Sequence, residues 1–61
     1  MPFVRIEMLS GRSTEQKTRL AVAITKAMVD TAKAKAEDTN IVFSDVARAD
    51  WAVAGKLIAD G

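Results

Sequence analysis

An unbroken run from Thr14 to about Ala36, free of glycine and proline, separates two short stretches that alternate like strands. That spacing constrains the fold more than any other feature. Ahead of it, Val4, Ile6 and Met8 fall on one side of an extended segment, and Phe3, Arg5, Glu7 and Leu9 on the other. Period-2 alternation with β-branched and aromatic residues marks a strand, and Ser10-Gly11 breaks it. Behind the run, Asn40 to Val46 reads as a second strand. Its Ile41-Val42-Phe43 is apolar on both faces, the pattern of a strand covered on both sides.

The run itself reads as a helix. Ser13 is a good N-cap and Gln16 lies three residues on, the spacing of a capping box. Glu15 suits the positive end of the helix dipole, and the many alanines favour helix. Leu20, Ile24, Ala27, Met28 and Thr31 form the expected core-facing stripe, with Ala23 and Ala27 small enough for close packing. Lys17, Arg19, Lys26, Asp30 and Lys33 form the expected wet side. The end is unmarked within "AKAKAEDTN". A helix of this length between two strands is a crossover, so the strands are expected to be parallel. Trp51 is followed by Ala52-Val53-Ala54, expected as part of a short hairpin, and by the tail "KLIADG". The expected fold is α/β (α+β): one domain over 1–61, a single β-α-β unit with a short C-terminal β-hairpin.

Two strands and a helix cannot cover their own apolar faces. At 61 residues, with no cysteine and no histidine, the chain has neither a disulfide nor the usual zinc ligands as a staple. Association with other chains is the staple that remains, and a 49% hydrophobic content fits it. The net charge of +1 argues against a nucleic-acid partner. No apolar run reaches the roughly 18 residues of a membrane span, and the start lacks a signal-peptide pattern. The expectation is a cytoplasmic oligomer with neither nucleic acid nor membrane as partner, and with no cofactor or metal.

The same absences close most routes to catalysis. Nucleophile–histidine pairs are impossible, and Gly11, Gly55 and Gly61 are too scattered for a phosphate loop. Pro2 stands out. A proline suits the first residue of a strand, which is its plain structural role. Removal of Met1 would turn it into a free secondary amine. A nearby cation and partial desolvation would lower the basicity of that amine toward working pH, making it an effective proton acceptor.

The segment "MPFVRIEMLSGRSTEQK" resembles the N-terminus of the 4-oxalocrotonate tautomerase family, the small β-α-β members of the tautomerase superfamily. The resemblance rests on Pro2 after an initiator Met, the alternating strand, Gly11-Arg12-Ser13 and Glu15-Gln16-Lys17. It extends through the chain length and the aromatic at Trp51. It implies an isomerase that moves a proton between the enol and keto forms of an unsaturated 2-oxo acid. Pro2 would be the general base. Arg12 would hold a carboxylate or oxo group through its bidentate fork. Trp51 would wall the pocket, with Leu9 and Val53 lining it. Family members are commonly hexamers, trimers of dimers, whose sites draw on several chains. The partners implied are a small 2-oxo or enol acid and further copies of the chain, or a paralogue in a mixed oligomer.

Two positions depart from the family pattern. Asn40 stands where the family usually carries a second substrate-binding arginine, which implies an altered substrate preference. Arg5 and Arg48 are the candidates to replace that cation, and the sequence puts neither in the site. Ala52-Val53-Ala54-Gly55 replaces a glycine-rich stretch, so any position there needing positive φ would be strained. Two competing expectations stand beside the tautomerase. One is a decarboxylase or hydratase-dehalogenase relative acting on a 3-carbon acid, for which no extra carboxylate is evident to activate water. The other is a weakly active subunit of a mixed oligomer, which Asn40 favours.

Overall fold

In the computed structural model, which describes residues 2–61, strand β1 (Phe3–Leu9) runs into helix α1 (Thr14–Ala32), and strand β2 (Asn40–Val46) follows. The two strands pair in parallel, in a register running from Phe3 opposite Asn40 to Leu9 opposite Val46. The crossover expected from the helix length is therefore present. A 3-10 turn at Arg48–Asp50 leads to an antiparallel hairpin of β3 (Ala52–Val53) and β4 (Lys56–Leu57). Another 3-10 turn at Ile58–Asp60 closes the described chain. The segment read as a plain tail thus contains β4 and this turn.

The start of α1 is fixed locally. The Gln16 amide donates to Ser13 Oγ (3.1 Å) and the Ser13 amide donates to Gln16 Oε1 (2.9 Å), completing the capping box. The helix ends at Ala32, four residues short of the expected Ala36. Lys33 takes the left-handed cap conformation (φ 59°), and the Lys33 and Ala34 amides both turn back to the Met28 carbonyl. A lysine fills the role usually given to glycine, which is why the sequence carried no stop signal. Part of "AKAKAED" then forms a separate 3-10 turn, Ala36–Asp38.

Helix and sheet meet through one face of each. Val4, Ile6 and Met8 on β1 and Ile41 and Phe43 on β2 are half-buried, beside the half-buried Leu20, Ala21, Ile24, Thr25, Met28 and Val29 of α1. Ala27 and Thr31, expected on this stripe, are exposed. Lys17, expected on the wet side, begins the stripe. Its Nζ lies 2.6 Å from Asp45 Oδ2, with a quarter (25%) of the side chain exposed. Asp45 shares the sheet face of Ile41 and Phe43 by alternation, so this pair ties the first turns of α1 to the end of β2.

No described residue is fully buried in the single chain. The far face of the sheet is open: Phe3 is 62% and Val42 41% exposed. The chain exposes 4610 Å², against roughly 3,900 Å² for a compact monomer of its mass. Among the described residues, the apolar content therefore lacks a closed core of its own, as expected of two strands and one helix.

The hairpin turn carries a specific strain. Ala54 (φ 54°) and Gly55 (φ 81°) both adopt positive φ, the requirement of a two-residue type I′ turn. Glycine accepts this freely, whereas the Ala54 Cβ crowds its own backbone there. The Ala54→Gly variant is expected to gain about 1 kcal/mol of stability, read as a higher denaturation midpoint at fixed protein concentration. An unchanged or lower midpoint would show that the turn is not strained.

Candidate active site

β1 carries a candidate site residue at each end. At its head, Pro2 is half-buried, and its carbonyl accepts a hydrogen bond from the Asn40 amide at 3.0 Å. This bond extends the parallel ladder by one step, so the Pro2 ring is held at the entry of the sheet rather than on a loose tail. Asn40 starts β2 beside it, and its Nδ2 donates to the Asp38 carbonyl at 3.1 Å. Pro2 and Asn40, far apart in sequence, are thus neighbours through strand pairing.

Arg12 belongs to the opposite end. The Ser10 amide donates to the Val46 carbonyl (2.9 Å), the last ladder bond. Gly11 then turns the chain at φ 127°, a conformation that L side chains rarely adopt. Arg12 follows, exposed, with Nη1 donating to the Leu9 carbonyl at 3.1 Å. That bond draws the guanidinium back over the end of β1 and leaves its other N–H groups available. With a rise of about 3.3 Å per residue, more than about 20 Å of strand separates Pro2 from this turn.

Leu9, half-buried, is the last residue of β1, and Trp51, also half-buried, follows the 3-10 turn beyond β2. The Trp51 carbonyl accepts from the Ile58 amide at 2.9 Å, which anchors the hairpin next to the tryptophan. Val53, on β3, is 58% exposed. The fold therefore brings Pro2 together with Asn40, and groups Leu9 and Arg12 at the other end of the sheet, where the segment of Trp51 and Val53 also leaves it. It does not bring the two groups together within one chain. An open groove elsewhere, lined by Ala21, Val22, Thr25, Lys26, Val29 and Asp30 of α1 and by Ala36 of the following 3-10 turn, is largely apolar and holds none of these residues.

Of the other two arginines raised by the sequence, Arg5 lies in the middle of β1 opposite Val42, on the open sheet face. Arg48 opens the 3-10 turn two residues beyond Val46, at the Arg12 end. Among the described residues, no group of three or more acidic side chains gathers into a metal-binding cluster. No described helix is long and apolar enough to cross a membrane.

The chain is thus a parallel β-α-β unit with a proline ahead of its first strand and an arginine in the turn behind it. Comparison with known proteins gives its family. The family model described as "Tautomerase enzyme" matches residues 2–61. The 2-hydroxymuconate tautomerase of Bacillus subtilis is 37% identical over 60 residues, covering 98% of this chain and 97% of that protein. The crystal structure of YwhB, a homologue of 4-oxalocrotonate tautomerase, superposes with a TM-score of 0.95 at 35% identity, covering 98% of each chain. A heterohexameric 4-oxalocrotonate tautomerase from Chloroflexus aurantiacus superposes at 0.91 and 35% identity, over 98% of this chain and 97% of that one. The chain belongs to the tautomerase family and is an isomerase of the 4-oxalocrotonate tautomerase type.

Proposed function

We propose that this protein converts the enol form of an unsaturated 2-oxo acid into its keto isomer, with the amine of Pro2 as general base. The observation that carries the reading is the anchoring of Pro2 through its carbonyl to the start of β2, in a chain matched by the tautomerase family from residue 2 onward. Once Met1 is removed, Pro2 offers a lone pair on a nitrogen held by the strand. It takes the proton of the 2-hydroxyl group as the C2=O double bond forms. It then returns a proton to a carbon of the shifting double-bond system. Nothing is consumed and no redox step is needed. The Met1 on which this depends lies outside the described residues.

The other residues take roles that follow from their chemistry. Arg12 holds the carboxylate and 2-oxo end with charge-assisted hydrogen bonds. Leu9, Trp51 and Val53 supply an apolar wall that excludes water. Asn40 offers a neutral donor beside Pro2, so the far end of the substrate carries no matched cation there. The preferred substrate is accordingly a monocarboxylate rather than the dicarboxylate named for some relatives. Because Pro2 and Arg12 lie at opposite ends of β1, a complete site takes Pro2 from one chain and Arg12 from another. The open sheet face and the apolar α1 groove supply surface for that association. A cytoplasmic location agrees with this reading.

Two measurements test it. Intact mass of the purified protein is expected to lack the initiator methionine. Ketonisation of phenylenolpyruvate is expected to be favoured over that of a dicarboxylate dienol, and a strong preference for the dicarboxylate would contradict the role given to Asn40. A second reading, a weakly active subunit of a mixed oligomer, draws support from the neutral Asn40 and from the heterohexameric relative. It predicts inactivity toward every enol, with full activity only after mixing with an arginine-bearing paralogue.

A further inference from the structure

We infer that Arg48 is a second substrate-binding guanidinium, acting beside Arg12 on the same carboxylate head rather than at the Asn40 position. This rests on the proposed function and assigns a specificity residue to it. The basis is the parallel register. β1 and β2 end together at Leu9 and Val46, joined by the Ser10–Val46 bond at 2.9 Å. Arg12 stands two residues past Ser10 and Arg48 two residues past Val46. Adjacent strands lie about 4.8 Å apart, so two long cationic side chains leave the same edge of the sheet from neighbouring strands. This edge, the carboxyl end of parallel strands, is where open α/β sheets bind ligands.

The acidic groups nearby do not absorb this charge. Asp45, the penultimate residue of β2, is held by Lys17 Nζ at 2.6 Å. Asp50 is two residues beyond Arg48 in the same 3-10 turn, and Asp60 lies in the 3-10 turn packed against it; neither forms an ion pair with Arg48. Among the described residues, Arg48 makes no ion pair. Arg12 uses one N–H on the Leu9 carbonyl and forms no ion pair either. Two guanidiniums without ion-pair partners at one end of the sheet form a donor set suited to an anion. Arg5 is a poorer candidate for this end, lying four residues, about 13 Å, back along β1. The two poles then divide the work. Both cations grip one carboxylate, and the neutral Asn40 end accepts the uncharged remainder of a monocarboxylate.

The test uses the assembled full chain. Arg48→Ala, Arg48→Lys and Arg5→Ala are compared with wild type in phenylenolpyruvate ketonisation, after sedimentation shows unchanged assembly. Arg48→Gln replaces Arg48→Ala if the latter does not assemble. Loss of one charge-assisted contact is expected to raise KM about tenfold in Arg48→Ala with kcat little changed. Arg48→Lys falls between, and Arg5→Ala matches wild type. Calorimetry with phenylacetate, an unreactive monocarboxylate, is expected to show the same weakening. Unchanged KM and unchanged phenylacetate affinity in Arg48→Ala overturn the inference while leaving Pro2 and Arg12 their roles. A wild-type protein inactive on every enol overturns the underlying reading instead, and phenylacetate binding still decides the role of Arg48.

Discussion

Pro2→Ala is expected to lower kcat for phenylenolpyruvate ketonisation by about 10²–10⁴-fold, the usual share of a positioned general base, with assembly unchanged. Alanine keeps the carbonyl that accepts the Asn40 amide at 3.0 Å, so strand pairing survives. What changes is the amine, from a ring-locked secondary nitrogen to a primary one on a freer residue. Arg12→Ala is expected to raise KM and lower kcat together, since its guanidinium both binds the acid and stabilises negative charge on the 2-oxo oxygen as the proton moves. A Pro2→Ala variant as fast as wild type would remove the proline from the mechanism, whatever the fold.

Asn40→Arg is the second large effect. In the present chain Asn40 Nδ2 donates to the Asp38 carbonyl, a short local bond that leaves the side chain neutral and near its own backbone. An arginine there would reach past that carbonyl and add a charge next to Pro2. Charge-assisted hydrogen bonds contribute about 1.5–3 kcal/mol and neutral ones about 1 kcal/mol. The variant is therefore expected to gain roughly tenfold or more in kcat/KM on a dicarboxylate dienol. The gain on phenylenolpyruvate should be much smaller, so the ratio of the two substrates is the readout. An unchanged ratio would mean that position 40 does not meet the distal end of the substrate.

How far the sequence carried depended on whether a feature is local. The alternating strand and the Ser13–Gln16 capping box depend on neighbours a few residues away, and the crossover on one continuous helix; all are present as expected. The end of α1 was hidden because Lys33 closes the helix in a conformation that its sequence does not advertise. Lys17 departs from the wet side because a lysine paired with Asp45 can lie along a half-buried stripe. Ala27 and Thr31 follow the helical period yet remain exposed in the single chain. The candidate site followed the same division. Pro2, Arg12, Asn40 and Trp51 could be picked out singly, from chemistry and from resemblance. That Arg12 lies a full strand from Pro2 follows from the length of β1, whereas that Asn40 is the neighbour of Pro2 depends on the register, which no short stretch encodes.

That separation makes the central claim testable in one experiment. Pro2→Ala and Arg12→Ala chains, each nearly inactive, are mixed under conditions that allow subunits to exchange, and phenylenolpyruvate ketonisation is measured. If a site takes its proline from one chain and its arginine from another, some sites in the mixed oligomer hold both native residues. Activity is then expected to rise far above the sum of the two variants. A mixture that exchanges subunits yet stays as inactive as its parts would contradict the account, since the base and the arginine would then have to come from the same chain.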